Sequence, residues 1–137
     1  MSLDGEHVGI IEETENGSLS YWVGNGDMHL KNFSLLRGED GNYRLSPAYD
    51  LLSTRLVIAN DALALSVAGK KKNVKRRHWL ELAERCDLPE RVAGGVLVSI
   101  AGTLGDALEM IARSLLPAAM KKTYAALVER RSGELTA

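Results

Sequence analysis

Gly26-Asp27-Met28-His29-Leu30-Lys31-Asn32 brings a carboxylate, an imidazole, an ammonium and an amide into one short segment. Asp27 and Asn32 stand five positions apart. At that spacing a carboxylate can position an attacking hydroxyl while an amide oxygen holds magnesium, the arrangement used in phosphoryl transfer. One amide oxygen cannot hold Mg²⁺ between phosphates by itself. A second metal-binding oxygen is therefore needed, and Asp50, which follows two short apolar runs, is its candidate.

Phosphoryl transfer asks little covalent chemistry of a protein, but it needs the hydroxyl aligned and the phosphate charge neutralised. Asp27 would accept the hydroxyl proton, and Asn32 and Asp50 would coordinate the magnesium that bridges the ATP phosphates. Lys31 would neutralise charge on the transferred group, and His29 reads better as an orienting hydrogen-bond partner than as the base. Each of these residues, judged alone, is also an ordinary turn former. The ordered set of small-residue loop, Asp27, Asn32, strand, turn, strand and Asp50 carries the catalytic reading.

The surrounding elements must hold that set in place. Gly24-Asn25-Gly26-Asp27 favours a tight loop, and Leu19–Val23 before it reads as the end of a helix or a strand. Asn32–Leu36 and Tyr43–Ser46 flank the turn cluster Gly38-Glu39-Asp40-Gly41-Asn42, a hairpin pattern that Pro47 ends. Leu63, Leu65 and Val67 alternate with small residues as a further strand or extended segment. Beyond Gly69 the pattern turns helical. Asn73 is the expected N-cap of a helix through Trp79 and Cys86, and Pro89 opens a second running to Ile111. Pro117 opens a last helix ending near Gly133. The glycines at 94, 95, 102 and 105 weaken the second helix and are expected to permit close packing. The predicted class is mainly α with one small β-hairpin (α+β). Residues 1–20 form a polar leading segment with Asp4-Gly5 and Asn16-Gly17 as turn signals, and Met1-Ser2-Leu3 reads as a vector remnant. Residues 21–69 carry the catalytic loop and metal hairpin, and 70–137 are helical.

Composition narrows the class further. Among 137 residues, 17 basic and 18 acidic side chains give a formal net charge of −1, no signature of a nucleic-acid domain. The basic run Lys70–Arg77 reads as a solvated loop and helix start. Cys86, the one cysteine, rules out an internal disulfide and reads as a buried core thiol. No signal peptide and no membrane-length apolar run is apparent, so a cytoplasmic protein without membrane contact is expected.

Gly26–Ser34 together with Tyr43-Arg44-Leu45-Ser46-Pro47-Ala48-Tyr49-Asp50-Leu51-Leu52-Ser53 resembles the carboxy-terminal region of HipA-type kinases, the toxins of bacterial toxin–antitoxin pairs. The likeness extends from about Tyr21 through the helical tail. It implies a protein-kinase-like C-terminal lobe, ATP and Mg²⁺ dependence, and phosphorylation of serine or threonine on a protein. Asp27 matches the family's catalytic aspartate, and Asn32 and Asp50 match its metal ligands. The resemblance further implies a HipB-like antitoxin partner, DNA contact only through that antitoxin, and a protein substrate such as an aminoacyl-tRNA synthetase.

The departure from the family lies upstream. No phosphate-binding loop occurs in residues 1–25 and no lysine precedes Lys31, so the sequence reads as a C-terminal fragment, a truncated product or half of a split kinase. Weak or absent ATP turnover by the chain alone is expected, with a missing N-terminal lobe as its partner. Two other readings stand beside this one. Gly-Asp-x-His-x-x-Asn also resembles the loop of aminoglycoside and choline kinases, although the residues around Asp50 suit the HipA pattern better. A non-catalytic module that docks an antitoxin or partner lobe is the other.

Overall fold

Helical segments account for most of the computed structural model, which describes residues 15–137. Helix α1 covers residues 15–23. A 3-10 turn at Leu30–Asn32 follows, then strands β1 (Leu35–Arg37) and β2 (Tyr43–Leu45) and a second 3-10 turn at Thr54–Leu56. Helices α2 (Arg76–Arg85), α3 (Glu90–Gly102), α4 (Leu104–Arg113) and α5 (Ala118–Thr136) complete the chain. This is the expected α+β class. Asp4-Gly5 and Met1-Ser2-Leu3 lie outside the described residues, whereas Asn16-Gly17 sits in α1 and not in a turn.

The hairpin forms where the turn residues place it, with Leu35 opposite Leu45, Leu36 opposite Arg44 and Arg37 opposite Tyr43. Gly41 supplies the left-handed backbone the turn needs, at φ 80°. The Asp40 carboxylate accepts the Asn42 backbone N–H at 3.1 Å and Arg44 Nη2 at 2.7 Å. The Asn42 hydrogen bonds foremost, and Arg44 after them, hold that carboxyl below its usual range. Both strands are largely exposed, so local bonds rather than core burial define the hairpin.

The helices depart from expectation in three places. Asn73 is not the N-cap of α2: it takes φ 51°, and the fully buried Val74 anchors the chain before the helix can start. Lys75 caps instead, its N–H donating to His78 Nδ1 at 2.9 Å. The single helix expected from Pro89 to Ile111 is two, α3 and α4. At the break the Thr103 hydroxyl donates to the Ile100 carbonyl at 2.8 Å, a local bond that competes with the helical ladder. Nor do the glycines all serve close packing. A Cβ at Gly94 would meet the Arg76 guanidinium at 2.7 Å, but at Gly95, Gly102 and Gly105 it would meet nothing within 4 Å. Further along, α5 runs past Gly133 to Thr136. The Leu63–Val67 segment is irregular apart from one bridge between Val67 and Lys70.

The core gathers Tyr21 and Trp22 of α1, Trp79 of α2, Leu97 and Ile100 of α3, Ile111 of α4, and Val128 and Leu135 of α5. The Trp22 indole N–H donates to the Ser132 hydroxyl at 2.8 Å, so this buried ring keeps its polar atom satisfied. Helix α5 packs against α2, α3, α4 and the Thr54–Leu56 turn. Cys86 is half-buried rather than buried, and lines an apolar groove with Met28, Trp79 and Leu82. Contrary to the expectation that no segment reaches that length, Glu90–Arg113 would suffice in length and apolar composition to cross a membrane. Its Ala93, Leu97, Ile100 and Ile111 are buried in the core.

Candidate active site

The segment between α1 and the hairpin has no regular ladder, so its buried backbone groups need other partners. Asn25 N–H donates to the Ser20 carbonyl at 2.8 Å, and Arg55 N–H donates to the Gly24 carbonyl at 3.0 Å. Gly26 N–H donates to Thr54 Oγ1 at 2.7 Å, while the Gly26 carbonyl accepts Ala64 N–H at 2.9 Å. The Thr54 hydroxyl donates in turn to the Asp61 carboxylate. Glycine is required at two of these positions. Gly24 has φ 87°, and a Cβ there would lie 2.6 Å from Ser53 Oγ; at Gly26 a Cβ would overlap the Asp61 carboxylate. Met28, buried in the apolar groove, anchors the loop from its other side.

This lacing leaves the Asp27 side chain 66 % exposed, open to a substrate. Its backbone N–H donates to Asn25 Oδ1 at 2.9 Å. The Asn25 Nδ2 donates to the Asp50 carbonyl at 3.2 Å. One buried amide, 1 % exposed, thus ties the Asp27 backbone to the Asp50 backbone. Asp50 takes φ 57°, a left-handed position that aspartate tolerates better than most residues. Its Oδ2 lies 3.1 Å from Asn32 Nδ2, which donates to it. Asn32 Oδ1 accepts the His29 backbone N–H at 3.2 Å, so the 3-10 turn orients the amide.

The Asn32 amide and the Asp50 carboxylate are thus neighbours, the kind of oxygen-bearing pair that would hold a magnesium ion. Among the described residues no group of three or more His, Cys, Asp or Glu converges.

His29 and Lys31 are placed differently from these three. His29 Nε2 is 4.0 Å from Asp27 Oδ1, beyond hydrogen-bond reach, and its Nδ1 is buried with no partner. The Lys31 side chain is exposed, while its carbonyl accepts the Tyr49 hydroxyl at 3.0 Å. Asn25, Thr54 and Asp61 were not singled out from the sequence as site residues. Asn25 is indistinguishable there from a turn asparagine, and no spacing links Thr54 and Asp61 to the loop.

A family model described as the HipA-like C-terminal domain matches residues 15–108. The chain belongs to that family. The match to the HipA-like C-terminal domain contains every candidate site residue and stops before α5. The protein named "Putative kinase Y4dM" of Sinorhizobium fredii is 42 % identical over 73 residues, 51 % of this chain and 18 % of its own length. The HipA fold is also met in a solved structure titled as the toxin–antitoxin complex of Shewanella oneidensis HipA, HipB and operator DNA. That match has a TM-score of 0.76 and 19 % identity, and it covers 93 % of this chain and 33 % of the other. The chain therefore spans a third or less of the length of these two proteins.

Proposed function

We propose that this chain is the catalytic lobe of an ATP- and Mg²⁺-dependent serine/threonine protein kinase of the HipA toxin type. The observation that supports the reading is the Asn25 bridge, which ties the Asp27 backbone to that of Asp50, whose carboxylate accepts Asn32 Nδ2. Asp27 orients the attacking hydroxyl and takes its proton. Asn32 and Asp50 hold magnesium, which supplies charge neutralisation on the nucleotide phosphates. Lys31, exposed beside Asn32, is free to reach a phosphoryl oxygen.

By the family likeness, a nucleotide-gripping N-terminal kinase lobe is the partner proposed to complete the ATP site. Leu35, Leu36 and Tyr43 of the hairpin are mostly exposed, the kind of apolar surface that marks a docking face. A HipB-like antitoxin is a further proposed partner, by analogy with the Shewanella assembly.

Manganese, a paramagnetic stand-in for magnesium, tests the site by water-proton relaxation in the presence of ATP. Asp50→Ala and Asn32→Ala are expected to weaken metal–nucleotide binding on the order of tenfold or more, with Asp27→Asn much less affected. Phosphate transfer from labelled ATP by the chain alone is expected to be weak. Unchanged metal affinity in Asp50→Ala would sink the proposal.

A further inference from the structure

A polar cavity of about 280 Å³ opens beside the loop, with Gly24, Asn25 and Gly26 in its lining. Asp27, His29, Lys31, Asn32 and Asp50 do not line it. Its wall carries five cationic side chains, Arg55, Lys71, Lys72, Arg130 and Arg131, against two carboxylates, Asp61 and Glu134. Both carboxylates are already engaged. Asp61 takes the Thr54 hydroxyl and the Ala62 N–H, and Glu134 takes the Tyr21 phenol at 2.5 Å and lies 3.9 Å from Arg130 Nε.

The two half-buried guanidinium groups are oriented by neutral acceptors. Arg55 Nη1 donates to the Asp61 carbonyl at 2.8 Å, and Arg131 Nη1 donates to the Tyr21 carbonyl. A carbonyl fixes a guanidinium's direction without supplying a full counter-charge. Arg131 also stacks on the Tyr21 ring, 4.3 Å from its centre, and its Nε is buried with no hydrogen-bond partner. Burial foremost destabilises the charged form of Arg131; Tyr21 and Glu134 offset this in part, and the like charges of Arg130 and Arg55 add to it. Among the described residues Lys71 and Lys72 form no ion pair. Two of these cations are anchored by backbone carbonyls, and a dianion among them would supply the counter-charge a carbonyl lacks.

We infer that this cavity binds a phosphate-type oxyanion, with Arg55 and Arg131 as its inner donors and Lys71, Lys72 and Arg130 at its mouth. The class is a phosphate monoester dianion or free phosphate. Planar guanidinium forks suit tetrahedral oxyanions, and the basic residues at 71 and 72 serve the mouth rather than bulk solvent alone. Because Gly24–Gly26 line the cavity and lead directly into Asp27, an occupant would touch the loop without entering the magnesium site.

The inference does not depend on the kinase reading, and its test uses neither nucleotide nor metal. Inorganic phosphate and O-phosphoserine are titrated into the chain at constant ionic strength, following the backbone amide signals of Gly24, Asn25 and Gly26. Saturable shifts are expected, and Lys71→Gln/Lys72→Gln, two exposed positions that leave the core untouched, should weaken binding by about tenfold. Arg113→Gln, which removes an exposed cation outside the cavity lining, should leave it unchanged. Tighter phosphoserine than phosphate would support a reader of phosphorylated side chains, and the reverse order a small-anion pocket; either agrees with the inference. Shifts that never saturate, that persist fully in the double variant, or that vanish in Arg113→Gln would overturn it.

Discussion

Asn25 uses both ends of its amide: the oxygen takes the Asp27 N–H and the nitrogen reaches the Asp50 carbonyl. Two aspartates 23 positions apart in the chain thereby share one buried hinge. Thr54 and Asp61 act one step further back, holding the Gly26 N–H in place. Thr54→Val keeps the shape but leaves Gly26 N–H without an acceptor, and a buried orphan donor costs about 1–3 kcal/mol. The expected result is faster hydrogen exchange at the Gly26 amide and lower stability to urea, with Thr54→Ser close to wild type. Equal exchange in Thr54→Val and wild type would show that the clamp has no hold on the loop.

Helix α3 places two adjacent glycines in opposite circumstances. Gly95 faces open space, whereas a Cβ at Gly94 would press on the Arg76 guanidinium, which also donates to the Leu135 carbonyl at 3.2 Å. Alanine is favoured over glycine in a helix interior by about 0.8–1.0 kcal/mol. Gly95→Ala should therefore raise the urea midpoint by an amount corresponding to most of that gain. Gly94→Ala should gain less or lose stability, because it dislodges a side chain that ties α2 to the end of α5. A larger gain at Gly94 than at Gly95 would contradict the packing described. The hairpin shows the converse case, in which the turn residues Asp40, Gly41 and Asn42 specify register with little help from the core.

For the molecule as a whole, α5 joins the helical tail to the catalytic loop. Its Leu127 borders Gly24, its Arg131 holds the Tyr21 carbonyl, and its Glu134 accepts the Tyr21 hydroxyl. Burial first, and the bond to Glu134 second, push the Tyr21 phenol well above its ordinary range. The folded state thus favours the neutral phenol. In the unfolded chain the phenol ionises near pH 10, so its contribution is intact below that pH and is lost progressively above it. The slope for one proton is about 1.4 kcal/mol per pH unit. Urea unfolding at successive pH values above 10 should show that fall in wild type and a shallower one in Tyr21→Phe. Parallel curves would remove Tyr21 from the account.

Local structure was legible in the chain because it is written at short range. The Gly38–Asn42 turn and the prolines at 89 and 117 act through neighbours a few residues away, and a hairpin and two helix starts stand where they place them. The α+β class follows from that periodicity. What the sequence could not display is anything joining distant segments. The Asn25 bridge to Asp50, the Thr54–Asp61 clamp and the gathering of Arg55, Lys71 and Arg131 at one cavity arise only from the tertiary fold. Local misreadings, such as Asn73 as a cap and one helix through Thr103, have the same origin. There the burial of Val74 and a side-chain bond to Ile100 outweighed propensities that differ by only about 1 kcal/mol.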